Sequence, residues 1–215
     1  MRAIHRARDA AHDGAQPEQL AEAVPTALAW QGRIDVLINN AGISQRGRAA
    51  DSEMSVVRRI MEVNYFGLVD LTIRVLPAMR AQGRGHIVNI SSVAGYVSTP
   101  LRSTYCASKH AVRSWSDSLR SELHGEDIAV TVVVPGYVAT EISAQALQED
   151  GQSKGQSDSD TAKGLTVEEA VKVIMRGLVA RRREVWVGGP EVYAIYLQRW
   201  FPGVVARLIH RAVPK

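Results

Sequence analysis

Short runs of consecutive apolar residues alternate along the chain with longer segments whose apolar residues recur every three or four positions. The short runs have the length of strands, and they cover residues 35–39, 86–90, 129–134 and 184–187. The longer segments have helical spacing, and they cover approximately residues 17–31, 51–82, 103–124 and 166–180. Because the strands are apolar throughout and helices separate them, the pattern predicts a parallel sheet covered on both faces, an α/β fold.

Two segments lie outside this alternation. Residues 148–164 are polar and rich in glycine, so we expect the connection 141–165 to be a mobile loop that shapes the substrate site. Residues 191–215 are apolar with interspersed arginines, and Pro202 and Gly203 divide them into two short helical pieces. We expect this tail to pack on the fold or on a second subunit. The alternative is a basic amphipathic element that lies on a membrane surface.

Composition narrows the class of protein. The chain has 215 residues, of which 46% are hydrophobic, so one globular domain over residues 1–215 is expected. The net charge of +4 is small and spread along the chain, so it does not require a nucleic-acid partner. The single cysteine, Cys106, excludes an intramolecular disulfide and a multi-cysteine metal site. No apolar run approaches the ~20 residues of a membrane span, and the first residues lack the apolar core of a signal peptide, so we expect a cytoplasmic protein.

Unusual residues follow three of the predicted strands. The clusters that end these strands are Asn39-Asn40-Ala41-Gly42, Ser91-Ser92 and Pro135-Gly136-Tyr137. Because ligands bind beyond the carboxyl ends of parallel strands, we expect the three clusters to border one site. Tyr105 and Lys109 come shortly after the second cluster, and their spacing puts them on one face of a predicted helix.

The Tyr105–Lys109 pair has the chemistry to move a proton. A free tyrosine, with a pKa of about 10, is a poor acid–base group at neutral pH. A lysine ammonium one helical turn away is expected to lower that pKa, so that Tyr105 can exchange a proton with a carbinol oxygen held by a serine hydroxyl. No side chain supplies hydride, and a nicotinamide cofactor is therefore implied. The spacing alone also fits an ordinary helix surface, but its occurrence together with the three clusters favours an active site.

Taken together, these residues resemble the short-chain dehydrogenase/reductase family. The motifs that carry the resemblance are Asn39-Asn40-Ala41-Gly42, Val63-Asn64-Tyr65-Phe66-Gly67, Ile90-Ser91-Ser92, Tyr105-Cys106-Ala107-Ser108-Lys109 and Pro135-Gly136-Tyr137-Val138-Ala139-Thr140. The resemblance implies a Rossmann-like, three-layer, doubly wound parallel sheet. It also implies an NAD(P)-dependent oxidoreductase that interconverts a carbonyl and an alcohol on a small apolar substrate, and a homodimer or homotetramer with dimerisation through helices 53–82 and 104–124.

Four catalytic residues are implied by this resemblance. Tyr105 would be the acid–base residue, Lys109 would lower its pKa and hold the nicotinamide ribose, and Ser92 would orient the substrate oxygen. Asn64 would anchor a water that links Lys109 to solvent; the alternative is a polar interruption in a long helix. Cys106 is expected to be a packed or half-exposed thiol with no part in the reaction.

The resemblance also implies a set of cofactor-binding residues, and it favours NADP over NAD. On the adenosine side these residues are Asn40, Ala41 and Gly42. Around the nicotinamide they are Tyr105, Lys109, Pro135, Gly136, Val138 and Thr140. Thr140 would lie near the carboxamide, although it could instead cap the segment that follows. Asp13 could match the family's adenine-contacting aspartate, but the residues before it do not resemble a strand.

One expected segment is not found in the sequence. A dinucleotide-binding fold opens with a strand, a glycine-rich turn and a helix that holds the pyrophosphate, and no Gly-x-Gly-x-x-Gly occurs here. We therefore expect an N-terminally truncated fold, with residues 35–39 as an apolar edge strand. Either Met1 lies downstream of the true start or the chain is a relic. The alternative function is then a non-catalytic, dimerising scaffold that cannot bind the cofactor phosphates.

Overall fold

The computed structural model describes residues 17–210, with side chains from Glu22 to Ile209, and its core is a four-stranded sheet. The strands are β1 (Val36–Asn39), β2 (Gly85–Ile90), β3 (Ile128–Pro135) and β4 (Glu184–Val187). They lie in the order β1-β2-β3-β4, and every neighbouring pair is parallel. This confirms the predicted parallel α/β sheet, and each predicted strand agrees with the observed one to within one residue.

The register of the strands aligns their carboxyl ends. Asn39 pairs with Asn89 across β1 and β2, Asn89 pairs with Val132 of β3, and Val132 pairs with Glu184 of β4. The clusters predicted from the sequence begin at these positions or within three residues after them in β1, β2 and β3. They therefore lie along one edge of the sheet.

Helices and short helical turns fill the connections between the strands. The α-helices are α1 (Pro17–Gln31), α2 (Met54–Met61), α3 (Gly67–Ala81), α4 (Ser103–Glu122), α5 (Ser159–Ala162), α6 (Val167–Val179), α7 (Ala194–Trp200) and α8 (Pro202–His210). A π-helical turn occupies Glu62–Phe66, and 3₁₀ turns occupy Val93–Gly95 and Pro190–Tyr193.

The core has two apolar layers, one on each face of the sheet. One layer includes Ile87 and Val130 and packs against side chains of α1, α3 and α4. The other includes Val88 and Val133 and packs against α6. Because neighbouring residues of a strand point to opposite faces, the apolar strands supply both layers at once, and the sheet is the middle of a three-layer structure.

The predicted helix 51–82 is not continuous. The π-helical turn Glu62–Phe66 separates α2 from α3, and no apolar spacing in the sequence marks this break. A π turn adds one residue to the helical repeat, so it rotates the side chains that follow, and such turns are frequent at functional sites. The start of α6, by contrast, follows from local sequence, because Thr166 and Glu169 have the spacing of a capping box. Thr166 Oγ1 accepts the Glu169 N–H (3.2 Å), and the Glu169 carboxylate accepts the Thr166 N–H (2.9 Å).

β1 is an edge strand within residues 17–210, as the sequence predicts, since it pairs only with β2. Three isolated bridges involve the connection 141–165, and they join Gln45 to Leu147, Leu147 to Ser153 and Val138 to Leu165. The mobility expected for this loop stays a prediction, and so do the single-domain extent 1–215 and the dimerisation through helices 53–82 and 104–124.

The tail folds into the two helical pieces that the sequence predicts. The break falls at Phe201, and Pro202 is the first residue of α8, a position that suits proline because its missing N–H is not needed there. Within residues 17–210 no helix combines the length and the apolar character that crossing a bilayer requires.

The close contact between α6 and β4 can be tested at Gly177. A Cβ added at Gly177 would overlap Val185 Cγ2, so we expect Gly177→Ala to destabilise the fold. Overpacking costs about 1–3 kcal/mol, and this exceeds the gain of about 1 kcal/mol from alanine's helix propensity. The midpoint of urea unfolding measures the difference.

Gly203→Ala is the matched control, because this glycine is also helical and nothing lies within 4 Å of an added Cβ. Its urea midpoint should be unchanged or slightly raised. Equal stabilities of the two variants would contradict the packing described for α6.

Candidate active site

Ser92 and Tyr105 meet beyond the carboxyl end of β2. Ser92 caps the short 3₁₀ turn Val93–Gly95: its Oγ accepts the Ala94 N–H (3.1 Å) and donates to the Pro135 carbonyl of β3 (3.3 Å). Tyr105 lies in the first turn of α4, is 8% exposed, and Ser92 lies close enough to act on the pKa of its hydroxyl. Two of the residues predicted to act on one substrate oxygen are therefore in contact.

Lys109 lies one helical turn after Tyr105 and is buried. Its Nζ is 5.9 Å from the centre of the Tyr105 ring and donates a hydrogen bond to the Ile90 carbonyl at the end of β2 (2.9 Å). Burial lowers the pKa of Lys109 to about 8. An ammonium has three donors, and the other two have no partner among the residues that the structure describes. Unpaired buried donors mark a place where a polar ligand group fits.

The pKa of Tyr105 differs from the sequence expectation. Burial raises it above the ordinary value of 10.0, while the hydrogen bond with Ser92 and the positive charges of Arg102 and Arg46 act in the opposite direction. The net direction is therefore opposite to the lowering predicted from the sequence, and the effect of Lys109 on the Tyr105 pKa stays a prediction. The physical reason is that removing the phenolate from water destabilises it by more than the neighbouring hydroxyl and positive charges stabilise it.

Asn64 joins the segment after β1 to α4. Its Oδ1 accepts the Ile43 N–H (2.8 Å), and its Nδ2 donates to the Ile43 carbonyl and to Ser108 Oγ (both 3.0 Å). The side chain is 1% exposed and belongs to the π-helical turn. Asn64 is therefore more than a polar interruption of a helix, because it fixes the backbone beside Gly42. Its role in a water-mediated proton relay stays a prediction.

The predicted adenosine-side residues leave the sheet at the end of β1. Asn40 and Ala41 are exposed, whereas Gly42 is half-buried. A Cβ added at Gly42 would lie 3.3 Å from both Asn64 Oδ1 and Lys109 Nζ. A Cβ at this distance would press on both groups, so glycine lets the backbone approach them closely, and Gly42, Asn64 and Lys109 therefore border the same space.

The predicted nicotinamide-side residues follow β3. Pro135, which ends the strand, accepts the Ser92 hydrogen bond, while Val138 forms an isolated bridge with Leu165 and Thr140 is exposed. At Gly136 an added Cβ would overlap the Glu191 carboxylate. This carboxylate accepts the N–H groups of Tyr137 and Gly189 (both 3.0 Å), so it fixes the turn after β3. The sequence gives no sign of this role for Glu191.

Gln45 is a second residue that sequence reasoning does not find. It is fully buried, and its Oε1 accepts the N–H groups of Thr104 (2.9 Å) and Tyr105 (3.4 Å). These are the second and third residues of α4, whose own N-cap residue, Arg102, makes no capping bond. Gln45 therefore caps α4 from a distant part of the chain. A glutamine between a loop and a helix carries no sequence signal for such a contact.

A buried polar network lies beneath the site. Asn39 Nδ2 donates to Thr72 Oγ1 (3.0 Å) and to Asn89 Oδ1 (2.8 Å), and Asn89 Nδ2 donates to Ser116 Oγ (2.8 Å). The network links β1 and β2 to α3 and α4, so it fixes the helices that carry the site against the sheet.

A group of charged residues borders Tyr105 on the side of the loop 141–165. Asp158 forms ion pairs with Arg46, Arg102 and Lys154. Burial alone would raise the pKa of Asp158, but the hydrogen bonds from Arg46 and Lys154 give a net lowering. The sequence predicts an apolar substrate, whereas the structure shows charged side chains on this side of Tyr105.

Cys106 follows Tyr105 and is 1% exposed, packed with Ala94 and Tyr105, so of the two expected states the packed thiol is the one observed. Asp13, the sequence-level candidate for the adenine contact, lies outside the described residues. Within residues 17–210, no cluster of three or more His, Cys, Asp or Glu side chains has the arrangement of a metal site.

Comparison with known proteins gives one consistent result. A family model described as short chain dehydrogenase matches residues 3–151. Dehydrogenase/reductase SDR family member 7B of Xenopus tropicalis is 43% identical over 202 residues, which are 94% of this chain and 65% of the frog protein. The chain thus spans just under two thirds of the length of that relative.

Two solved structures share the fold. A short chain dehydrogenase from Burkholderia cenocepacia in complex with NADP has a TM-score of 0.74 at 28% identity, over 92% of this chain and 75% of that chain. A short chain dehydrogenase/reductase from Burkholderia phymatum in complex with NAD has a TM-score of 0.76 at 23% identity, over 87% of this chain and 73% of that chain.

The capping role of Gln45 can be tested by Gln45→Met, which keeps the length of the side chain and removes its acceptor. The N–H groups of Thr104 and Tyr105 would then be buried without a partner, at a cost of about 1–3 kcal/mol. We expect faster amide hydrogen exchange at these two residues and a lower urea midpoint. Gln31→Met, at the exposed end of α1, is the control and should change neither quantity. Unchanged exchange in the Gln45 variant would contradict the capping role.

The burial of Lys109 can be tested by titration. The sequence holds only five lysines, so ¹³C NMR of the lysine Cε groups can follow each one. We expect one resonance with a midpoint at about 8, protonated below that pH and neutral above it, which is absent in Lys109→Met. A midpoint near the ordinary value of 10.5 for that resonance would mean that water reaches Nζ.

Proposed function

Because this chain belongs to the short-chain dehydrogenase/reductase family, a family of oxidoreductases, we propose that it interconverts a carbonyl and an alcohol by hydride transfer with NAD(P). Tyr105 moves the proton in this reaction. The observation that carries the proposal is the meeting of Tyr105, Ser92 and Lys109 at the carboxyl end of β2. An acid–base group, a hydroxyl beside it and a buried ammonium are the parts that this chemistry needs.

Each residue has a separate task in the proposed reaction. Ser92 orients the substrate oxygen with its hydroxyl, and the neighbouring Tyr105 hydroxyl gives that oxygen a proton during reduction or takes one during oxidation. The raised pKa keeps Tyr105 protonated at neutral pH, which suits the donor role in reduction. Lys109 stays mainly protonated below pH about 8, so it can stabilise negative charge that develops on the tyrosine oxygen.

The residues present fit the nicotinamide half of the cofactor. Two donors of the buried Lys109 ammonium have no partner among the described residues, and Gly42 leaves space beside them. On this proposal Lys109 holds the ribose, Asn40, Ala41 and Gly42 line the adenosine side, and the nicotinamide lies against Pro135, Gly136, Val138 and Thr140. When bound, the nicotinamide supplies or accepts the hydride. Solved relatives hold NAD in one case and NADP in another, and we retain NADP as the favoured cofactor.

The reacting group of the proposed substrate is a carbonyl or a carbinol. The charged side chains of Arg46, Arg102 and Asp158 border the approach to Tyr105, so an apolar molecule is not the natural choice. The proposed substrate is therefore a small molecule that carries this group.

A non-catalytic scaffold is the second candidate function. It is favoured by one observation, namely that the sequence holds no Gly-x-Gly-x-x-Gly to receive the cofactor phosphates. A titration with NADPH and NADH, followed by quenching of tryptophan fluorescence, separates the two candidates. Saturable binding supports the oxidoreductase, and no binding of either cofactor supports the scaffold.

Tyr105→Phe tests the acid–base role. This substitution keeps the ring and removes the hydroxyl, so we expect kcat to fall by about 10²- to 10⁴-fold. Cofactor affinity should stay within about twofold, since the phenyl ring still fills the buried position. Oxidation of NADPH with a panel of ketones and aldehydes measures the rate.

Tyr193→Phe is the matched control, because Tyr193 is 66% exposed and belongs to the tail. It should leave both kcat and cofactor affinity unchanged. Full turnover by Tyr105→Phe would sink the proposed mechanism.

A further inference from the structure

The C-terminal helices expose large apolar side chains at regular spacing. Tyr193, Tyr196 and Trp200 follow one another at three and four residues around α7, and Phe201, Val204 and Leu208 repeat the same spacing around α8. Between 45% and 70% of each of these side chains is exposed. We call these six residues the aromatic face. Spacing of three and four residues puts each set of three on one side of its helix.

The other side of the same helices packs on the fold. Ile195 is 6% exposed and contacts Val132 and Val134 of β3, and Val205 is 4% exposed. Tyr196 is also held in place, because its ring lies 4.9 Å from that of Trp186 in β4. The tail is therefore anchored through one side, which confirms in part the expected packing on the fold, while the aromatic face is directed away from the core.

The charge of the tail indicates what covers this face. Glu191 is the last acidic residue of the chain, and residues 192–215 hold four basic residues and no acidic one. Arg199 and Arg207 lie beside the aromatic face and are exposed. Exposed tryptophan and tyrosine next to arginine are typical of elements that lie in the interface of an anionic bilayer.

A second copy of the chain fits this surface less well. A twofold contact brings the same patch of both copies together, so two patches of the same positive charge would meet, and residues 192–215 supply no acidic residue to pair with the arginines. Like charges facing each other at an interface are unfavourable. The positive charge beside the aromatic face is complementary to anionic headgroups, and it is not complementary to a second copy of the same face.

We propose that α7 and α8 dock the protein onto anionic membrane surfaces, with the aromatic face inserted among the headgroups and Arg199 and Arg207 bound to lipid phosphates. This inference does not depend on the proposed oxidoreductase activity. It adds a peripheral, reversible membrane contact through residues 191–215.

Sedimentation with vesicles tests the proposal on the full chain. Vesicles of phosphatidylcholine with phosphatidylserine should bind the protein, and vesicles of phosphatidylcholine alone should bind it at least about tenfold more weakly, since two or more basic residues then lose their partners. Raising the salt concentration should release it. Trp200→Glu and Leu208→Glu should each weaken binding to the anionic vesicles by about tenfold or more, because an inserted apolar side chain is lost.

Val179→Glu is the control, because Val179 is 77% exposed at the end of α6 and the variant changes the net charge by the same amount. It should bind the anionic vesicles like the unchanged protein. Far-UV circular dichroism of each variant checks the fold, and all three positions are exposed.

Three outcomes would overturn the proposal. The first is binding to anionic vesicles no stronger than to neutral ones, and the second is binding that Trp200→Glu and Leu208→Glu leave intact. The third is a dimer in light scattering that both variants dissociate, together with no vesicle binding, which would assign the aromatic face to a second copy of the chain.

Discussion

In a parallel sheet all strands run in one direction, so the residues that follow them emerge along the same edge. Here the register pairs Asn39 with Asn89 and Asn89 with Val132, and the three polar clusters therefore begin at one level. Ser92 reaches the Pro135 carbonyl for this reason alone. Residues separated by about forty positions in the chain become neighbours because the strands that precede them are paired in register, and their own side chains are not needed for this.

Alignment of the strands brings the segments together, but buried polar groups fix their final positions. Gln45, Asn64 and Asn39 each join a segment at the carboxyl end of β1 to a helix, and each is at least nine-tenths buried with its hydrogen bonds made inside the protein. Such groups are costly when unpaired, so the fold that satisfies them all is strongly favoured over near alternatives. The region of Tyr105 is thus held by buried side chains, of which Gln45 and Asn39 have no part in the proposed chemistry.

The sequence predicts the parts of this structure that depend on local pattern. The four strands, the helix that carries Tyr105 and the capping box at Thr166 all follow from apolar spacing and short-range capping chemistry. What it does not predict depends on contacts between distant segments. The π-helical turn at Asn64 and the cap supplied by Gln45 are examples, and so is the rise in the Tyr105 pKa, since burial is a property of the folded chain and not of the Tyr-x-x-x-Lys spacing.

The first turn of α4 carries the only thiol of the protein, one residue after Tyr105. Because Cys106 is 1% exposed, a thiol-reactive dye can reach it only when this part of the fold opens. The labelling rate therefore reports how often the turn that holds Tyr105 departs from its closed state, a local fluctuation that global unfolding experiments average away. The Cys106 thiol is thus a natural kinetic reporter beside Tyr105. Ligands that bind here can be ranked by how far they slow the labelling of this thiol.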